Sequence, residues 1–281
     1  MSPSSRSSSL AEQASAVSPL SKAFANSHYI IHFMPIAQYN NDGRLELYKL
    51  EVLARKKADV DHSPEHFTVE LAECGLLKNL DKAVFEKACS FAKNNKNVPL
   101  SINLSPATLA ATDLISTVDK QMSLNKLKPH NITFEILEDY FPDNDLPIIL
   151  SNLKALQARG HELWLDDYGA VDSQPERLAF LKENGVKIKG LKFDKSILDD
   201  EDALITLIEQ TPDINEYEVV VEGIERSEQF DLVNKHLKNV KIQGYGITKP
   251  LNQTEIITLA KNAYQTGHIN CDLAPFWPLP E

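Results

Sequence analysis

The chain has 281 residues and a formal net charge of -11. That length suits one large α/β domain, and that charge repels nucleic acid, DNA or RNA, whose readers carry basic patches. Three cysteines without a C-x-x-C exclude a disulfide framework or zinc knuckle and suit a reducing, cytoplasmic setting, and no apolar run approaches the roughly 18 residues of a membrane span.

Residues 1–26 are rich in Ser and Ala, lack the apolar core of a secretory signal and read as a disordered lead-in. One folded domain is expected over 27–266. A Pro-rich tail follows at 267–281, with Phe276 and Trp277 expected to pack back onto the domain. Within the domain, strand and helix patterns alternate. A first strand is predicted over His28–Ile36 and a second over Leu45–Leu53, joined by a short connection containing Asn41-Asp42-Gly43. That turn suits a hairpin and makes one strand antiparallel to the rest. Helices follow over Pro64–Leu76, with Ser63 as cap, and Leu80–Lys93. Cys74 and Cys89 fall in these helical patterns and read as core. Then come strand Val98–Leu104, helix Pro106–Ser123, strand Ile132–Leu137 and helix Leu146–Arg159. Strand Leu163–Asp166, helix Gln174–Asn184, strand Gly190–Phe193 and helix Glu201–Gln210 continue the series. Strand Glu218–Val221, helix Ser227–His236, strand Val240–Gln243 and helix Gln253–Gln265 close it. Eight strands in this alternation favour an α/β fold of the closed (β/α)8 barrel type.

Polar residues recur at the strand ends: Glu51, Asn103, Glu135, Asp166 and Asp167, Lys192 and Asp194, Glu222, and Gln243. Side chains on a strand alternate with period two. Leu100, Ile102 and Leu104 therefore share one face, and Ser101 and Asn103 the other. Ile132, Phe134 and Ile136 oppose Thr133 and Glu135; Leu191 and Phe193 oppose Lys192 and Asp194. The apolar faces would meet the helices and the polar faces would line the barrel, where catalytic groups sit at C-terminal strand ends. Burying carboxylates there is costly unless they are paired or bind metal. Hard divalent cations such as Mg2+ and Mn2+ prefer such oxygen ligands, and adjacent aspartates suit bridging two ions. Lys192 could orient water or neutralise a phosphate oxygen. Taken singly, Asp166-Asp167 also reads as a helix cap, Asn103 as turn chemistry, and Lys192 with Asp194 as a core pair.

In chain order the motifs are E-V-L-A-R, N-L-S-P, E-I-L-E, D-D-Y-G, L-K-F-D, V-E-G-I-E and Q-G-Y-x-x-x-K-P. Together they resemble the EAL-domain cyclic di-GMP phosphodiesterases of bacteria, over about Tyr29 to Ala263. The resemblance implies a modified TIM barrel, two divalent metal ions (Mg2+ or Mn2+), and hydrolysis of cyclic di-GMP to linear pGpG in second-messenger signalling. By motif matching it implies metal ligands at Glu51, Asn103, Glu135, Asp166, Asp167 and Glu222. Lys192 would position the attacking water with Asp194 nearby. Gln243 would sit at the metal edge, Arg55 would hold a substrate phosphate, and Glu225 and Glu138 would support the site.

The chain departs from the family pattern at several positions. Val52 stands in the signature tripeptide where alanine is usual, Met34 for a glutamine, Lys56 for a tryptophan and Leu137 for a threonine. The loop after Asp167 reads Tyr168-Gly169-Ala170-Val171-Asp172-Ser173, unlike the family loop that supports metals and dimer contacts. A homodimer and a protein partner both stay open. So does a second reading, a catalytically inactive EAL-like module that binds cyclic di-GMP or a protein. A third, an enolase-like metal-dependent enzyme, leaves the Q-G-Y and E-G-I-E motifs without a role.

Overall fold

The computed structural model describes residues 29–40, 44–57, 65–137, 141–170 and 175–269. The Ser-rich lead-in, the Asn41-Asp42-Gly43 turn, Ser63-Pro64, Glu138, residues 171–174, Cys271 and the aromatic pair Phe276 and Trp277 lie outside them. Eight strands form a closed barrel in sequence order: β1 (Tyr29–Tyr39), β2 (Leu45–Lys56), β3 (Leu100–Leu104), β4 (Ile132–Ile136), β5 (Leu163–Tyr168), β6 (Gly190–Phe193), β7 (Glu218–Val221) and β8 (Lys241–Ile242). Strand β1 is antiparallel to both of its neighbours, β2 and β8. The remaining pairs are parallel. Asn40 closes the β1–β2 hairpin: its N–H donates to the Arg44 carbonyl (2.9 Å), and its side-chain oxygen accepts the Arg44 N–H (2.9 Å).

The helices are α1 (Glu65–Glu73), α2 (Leu77–Ala92), α3 (Pro106–Leu109), α4 (Leu114–Asn125), α5 (Leu146–Ala158), α6 (Pro175–Glu183), α7 (Glu201–Gln210), α8 (Ser227–His236) and α9 (Gln253–Thr266). The single helix expected over Pro106–Ser123 is a correction, because the chain breaks between α3 and α4. Asn152 on α5 explains the break. Its side-chain amide donates to the carbonyls of Leu109 (2.7 Å) and Ala111 (3.1 Å), satisfying acceptors that a continuous helix would have used itself. Cys89 is fully buried on α2. Cys74 corrects a second expectation, for it lies just past α1 and is exposed.

The outward strand faces carry the main core, with Ile102, Phe134, Leu163, Leu191 and Val221 fully buried against the helices. Inside the barrel, Trp164, Ile36 and Val220 form a small apolar plug with Tyr48, so the interior is filled rather than open. Tyr48 reaches this position through a β-bulge. The β1–β2 register steps from Ile36↔Lys49 to Ala37↔Leu47, leaving Tyr48 as the extra residue.

Gly190 makes room for the plug. A Cβ there would sit 2.5 Å from two Trp164 indole carbons, and Trp164 is fully buried. Gly190→Ala should therefore cost about 1–3 kcal/mol through overpacking, read as a lower denaturant midpoint. An unchanged midpoint would show that the indole can move aside. Among the described residues, no helix is long and apolar enough to cross a membrane.

Candidate active site at the C-terminal barrel mouth

Strand parity delivers the polar groups to one place. Lys192 on β6 is almost completely buried and lies at the centre. Its Nζ is 2.6 Å from Asp166 Oδ1, 2.8 Å from Glu222 Oε1, 3.0 Å from Glu135 Oε2 and 3.4 Å from Glu51 Oε2. These carboxylates come from β5, the end of β7, β4 and β2. An ammonium carries three protons and one charge, so it cannot neutralise four carboxylates.

Asp167 joins the cluster against simple alternation, because adjacent strand residues normally point to opposite faces. The β5–β6 register advances from Leu165↔Leu191 to Tyr168↔Phe193, three residues against two. This bulge places Asp167 in the left-handed region at φ 47°. Tyr168 is returned to the outer core, where it stacks on Phe193 at 5.7 Å. Carboxylate oxygens of Asp166, Asp167 and Glu222 all lie within 4.8 Å of one another, as do those of Glu51, Glu135 and Asp166. The two triads share Asp166.

Two amides complete the mouth. Asn103 Nδ2 donates to Glu51 Oε1 (3.2 Å) and Gln243 Nε2 donates to Glu51 Oε2 (2.7 Å). Glu51 thus holds both carboxamides by their nitrogens. The oxygens, Asn103 Oδ1 and Gln243 Oε1, are buried without a hydrogen-bond partner among the protein atoms. Two orphaned acceptors in one acidic cluster fit an oxygen-liganded cation, since buried acceptors are otherwise paired. The Gln243 backbone is fixed on both sides: its N–H donates to Val221 O (2.9 Å) and its carbonyl accepts Ile224 N–H (3.0 Å). Gly244 permits that approach, because a Cβ there would lie 2.2 Å from the Ile224 carbonyl oxygen.

Electrostatics follow from burial. Desolvation pushes the Glu135 carboxyl up to about 8, with Lys192 opposing and Glu51 and Asp166 adding repulsion. Burial likewise raises Asp166 and Glu222. Burial disfavours the Lys192 ammonium, yet the surrounding carboxylates hold its pKa well above the ordinary lysine value.

A pH dependence follows for the metal-free protein. Folded Glu135 keeps its proton to about pH 8, whereas an unfolded glutamate releases it near about pH 4.3. Between those values the folded state binds the extra proton, so stability falls as pH rises. Thermal midpoints without metal should decline from pH 5 to 8, and Glu135→Gln should flatten the slope. A slope unchanged by that substitution would contradict the assignment.

Arg55 lies at the rim on the Glu51 side of β2. It is nearly buried, and one of its guanidinium nitrogens donates to Ala54 O (3.0 Å). Burial lowers its pKa, with Tyr245 and Glu51 opposing. Two expected residues stand outside the cluster. Asp194 caps the 3-10 turn Lys195–Asp199, its Oδ1 accepting Ser196 N–H at 2.9 Å. Glu225 is exposed, and its backbone N–H donates to Gln229 Oε1 (2.9 Å).

The cluster opens into a cavity of about 500 Å3, walled also by Thr68, Val69 and Ala72 of α1 and by Leu77, Leu80 and Asp81 of α2. These walls were not foreseen from the sequence. Neither was a second polar layer below the cluster, where buried Lys49 donates to Thr133 Oγ1 (2.7 Å) and lies 3.7 Å from the Trp164 ring centroid. Its signal was present: Lys49, Thr133 and Trp164 each precede a cluster residue by two positions on the same strand. A larger groove, about 720 Å3, runs between α9 and residues 93–98 and, among the described residues, carries no such acidic cluster.

Comparison with known proteins gives a consistent outcome. A family model described as the EAL domain matches residues 18–250. The oxygen sensor protein DosP of Escherichia coli is 32% identical over 224 residues, covering 75% of this chain and 27% of DosP. The cyclic di-GMP phosphodiesterase PdeB of Shewanella oneidensis is 24% identical over 241 residues, covering 82% of this chain and 27% of PdeB. The chain thus spans about a quarter of the length of either relative. Among solved structures, the PaMucR phosphodiesterase in complex with c-di-GMP superposes with a TM-score of 0.69 at 19% identity, over 82% of this chain and 99% of that one. The FimX EAL domain of Pseudomonas aeruginosa bound to c-di-GMP gives 0.66 at 18% identity, over 84% and 96%.

Proposed function

Because the chain belongs to the EAL domain family, we propose that it hydrolyses one phosphodiester bond of cyclic di-GMP to linear pGpG, using two divalent cations, Mg2+ or Mn2+. The supporting observation is the pair of carboxylate triads that share Asp166, together with the orphaned oxygens of Asn103 and Gln243. Glu51, Asn103, Glu135 and Asp166 would hold one ion, and Asp166, Asp167 and Glu222 the other. Such a pair, when bound, supplies Lewis acidity and an activated water at neutral pH.

The protein's own groups do the remaining work. Arg55 presents a desolvated guanidinium to a phosphate oxygen, which matches its planar donor geometry. Lys192 holds a proton at Nζ in the centre of the cluster and is positioned to orient water or to neutralise developing charge. Gln243 fixes Glu51 from the opposite side. Asp194 and Glu225 stand just past β6 and β7, next to the strand ends that carry Lys192 and Glu222. Val52 leaves the ligand set intact: its side chain is buried on the outer face, away from the cluster.

The test is incubation of purified protein with cyclic di-GMP and Mn2+ or Mg2+, with products separated by chromatography. Metal-dependent appearance of pGpG supports the proposal. Binding of cyclic di-GMP without product would instead indicate a receptor built on the same scaffold.

A further inference from the structure

Asp81 is an acidic residue that the sequence motifs do not include. It lies on α2 beside the C-terminal end of β3, and one of its oxygens, Oδ2, accepts three hydrogen bonds. The donors are the Ser105 N–H (3.0 Å), the Ser105 hydroxyl (2.6 Å) and the Thr108 hydroxyl (2.6 Å). Ser105 is fully buried and Thr108 nearly so. The Ser105 hydroxyl also accepts the Thr108 N–H (3.3 Å) as the cap of α3. Hydrogen bonds to an ionised carboxylate are short and about twice as strong as neutral ones, so this junction is held firmly.

The junction matters because of what lies two residues upstream. The β2–β3 register covers only Leu50↔Leu100, Glu51↔Ser101 and Val52↔Ile102. Beyond Ile102, β3 keeps its ladder to β4 but has none to β2. Asn103 therefore sits on a strand end supported from one side by backbone pairing. On the other side, the anchor just past it is the Asp81–Ser105 junction. The Asn103 carboxamide makes one bond of 3.2 Å to Glu51 and leaves its oxygen for a ligand.

We infer that Asp81 is a positioning residue for Asn103: by clamping Ser105 from α2, it fixes the end of β3 so that the Asn103 oxygen faces the carboxylate cluster. The inference rests on the metal-centre reading above, but it also makes a claim about the metal-free chain. Residues that orient metal ligands typically contribute 10–100-fold to metal affinity.

The experiment uses the full chain labelled with 15N-asparagine, the Asn103 side-chain signal being identified by its loss in Asn103→Ala. In Asp81→Ala the metal-free Asn103 NH2 resonance should shift or broaden. Mn2+ affinity, measured by electron paramagnetic resonance, should fall about 10–100-fold. Asp81→Asn retains a carbonyl acceptor and should restore most of both signals. Thr108→Val removes one donor and should shift both measurements in the same direction by less; it decides the matter if Asp81→Ala fails to fold. A folded Asp81→Ala protein with a lowered melting point but unchanged Asn103 signal and Mn2+ affinity would overturn the inference, leaving only a structural role. If the parent protein binds no Mn2+, the metal reading fails, and the inference then stands or falls on the Asn103 signal.

Discussion

Replacing Lys192 with methionine should lower the metal-free stability by about 3–5 kcal/mol, the cost of removing one partner from a buried ionic cluster. The reason is local. Methionine keeps much of the volume but no charge, so Glu51, Glu135, Asp166 and Glu222 would face one another without a cation. Part of the cost is relieved by protonation, since burial already pushes Glu135 up to about 8. The same substitution makes the cluster more receptive to divalent ions. Mn2+ should therefore raise the melting midpoint of Lys192→Met by more than that of the parent. Turnover should drop about 10²–10³-fold at saturating Mn2+, the scale of losing one preorganised electrostatic group. Melting curves with and without Mn2+, paired with product assays, check both parts. Equal metal-free stability in the two proteins would show that Lys192 does not compensate the carboxylates.

Replacing Glu51 with alanine should have a larger effect on activity. Glu51 belongs to one of the two oxygen triads, and it is also the acceptor that holds Asn103 and Gln243 by their amide nitrogens. Alanine removes one ligand and frees a second, Asn103, to rotate, together with the Gln243 carboxamide. Residues that merely support ligands contribute 10–100-fold to metal affinity, so Glu51→Ala should lose more than about 100-fold. Calorimetric Mn2+ titration reads this directly, and product formation should fall below detection. The fold should survive, because Leu50 and Val52 on either side keep the outer core. Parent-like Mn2+ affinity in this variant would place the metal elsewhere.

Much of the barrel could be read from alternation. Leu100-Ser101-Ile102-Asn103-Leu104 and Ile132-Thr133-Phe134-Glu135-Ile136 sort into an outer apolar face and an inner polar face, and the register Asn103↔Glu135 brings the inner groups side by side. That one strand runs antiparallel was legible from the short connection between the first two; that it is the first strand shows only in its pairing with β8. Alternation alone does not account for every feature of the site. It assigns Asp166 and Asp167 to opposite faces, and only the bulge before Tyr168 brings both to the mouth. It sends Asp194 inward with Lys192, but β6 ends at Phe193 and Asp194 becomes the cap of the next turn. The break after α3 lies in a helix-compatible stretch and depends on Asn152, more than 40 positions away. Cys74 sits beyond the last turn of α1, where the helical pattern no longer decides burial. The lysine's four partners could not be read from spacing at all, because they arrive from four separate strands.

The most direct test of the account is where metal binds. Crystals grown with Mn2+ and measured for anomalous scattering should show two peaks on either side of Asp166. One should lie among Glu51, Asn103, Glu135 and Asp166, and the other between Asp166, Asp167 and Glu222, with Lys192 drawn back from at least one carboxylate. A cluster without anomalous density at saturating Mn2+, with Lys192 still bound to all four carboxylates, would contradict the metal centre and the hydrolysis proposed from it.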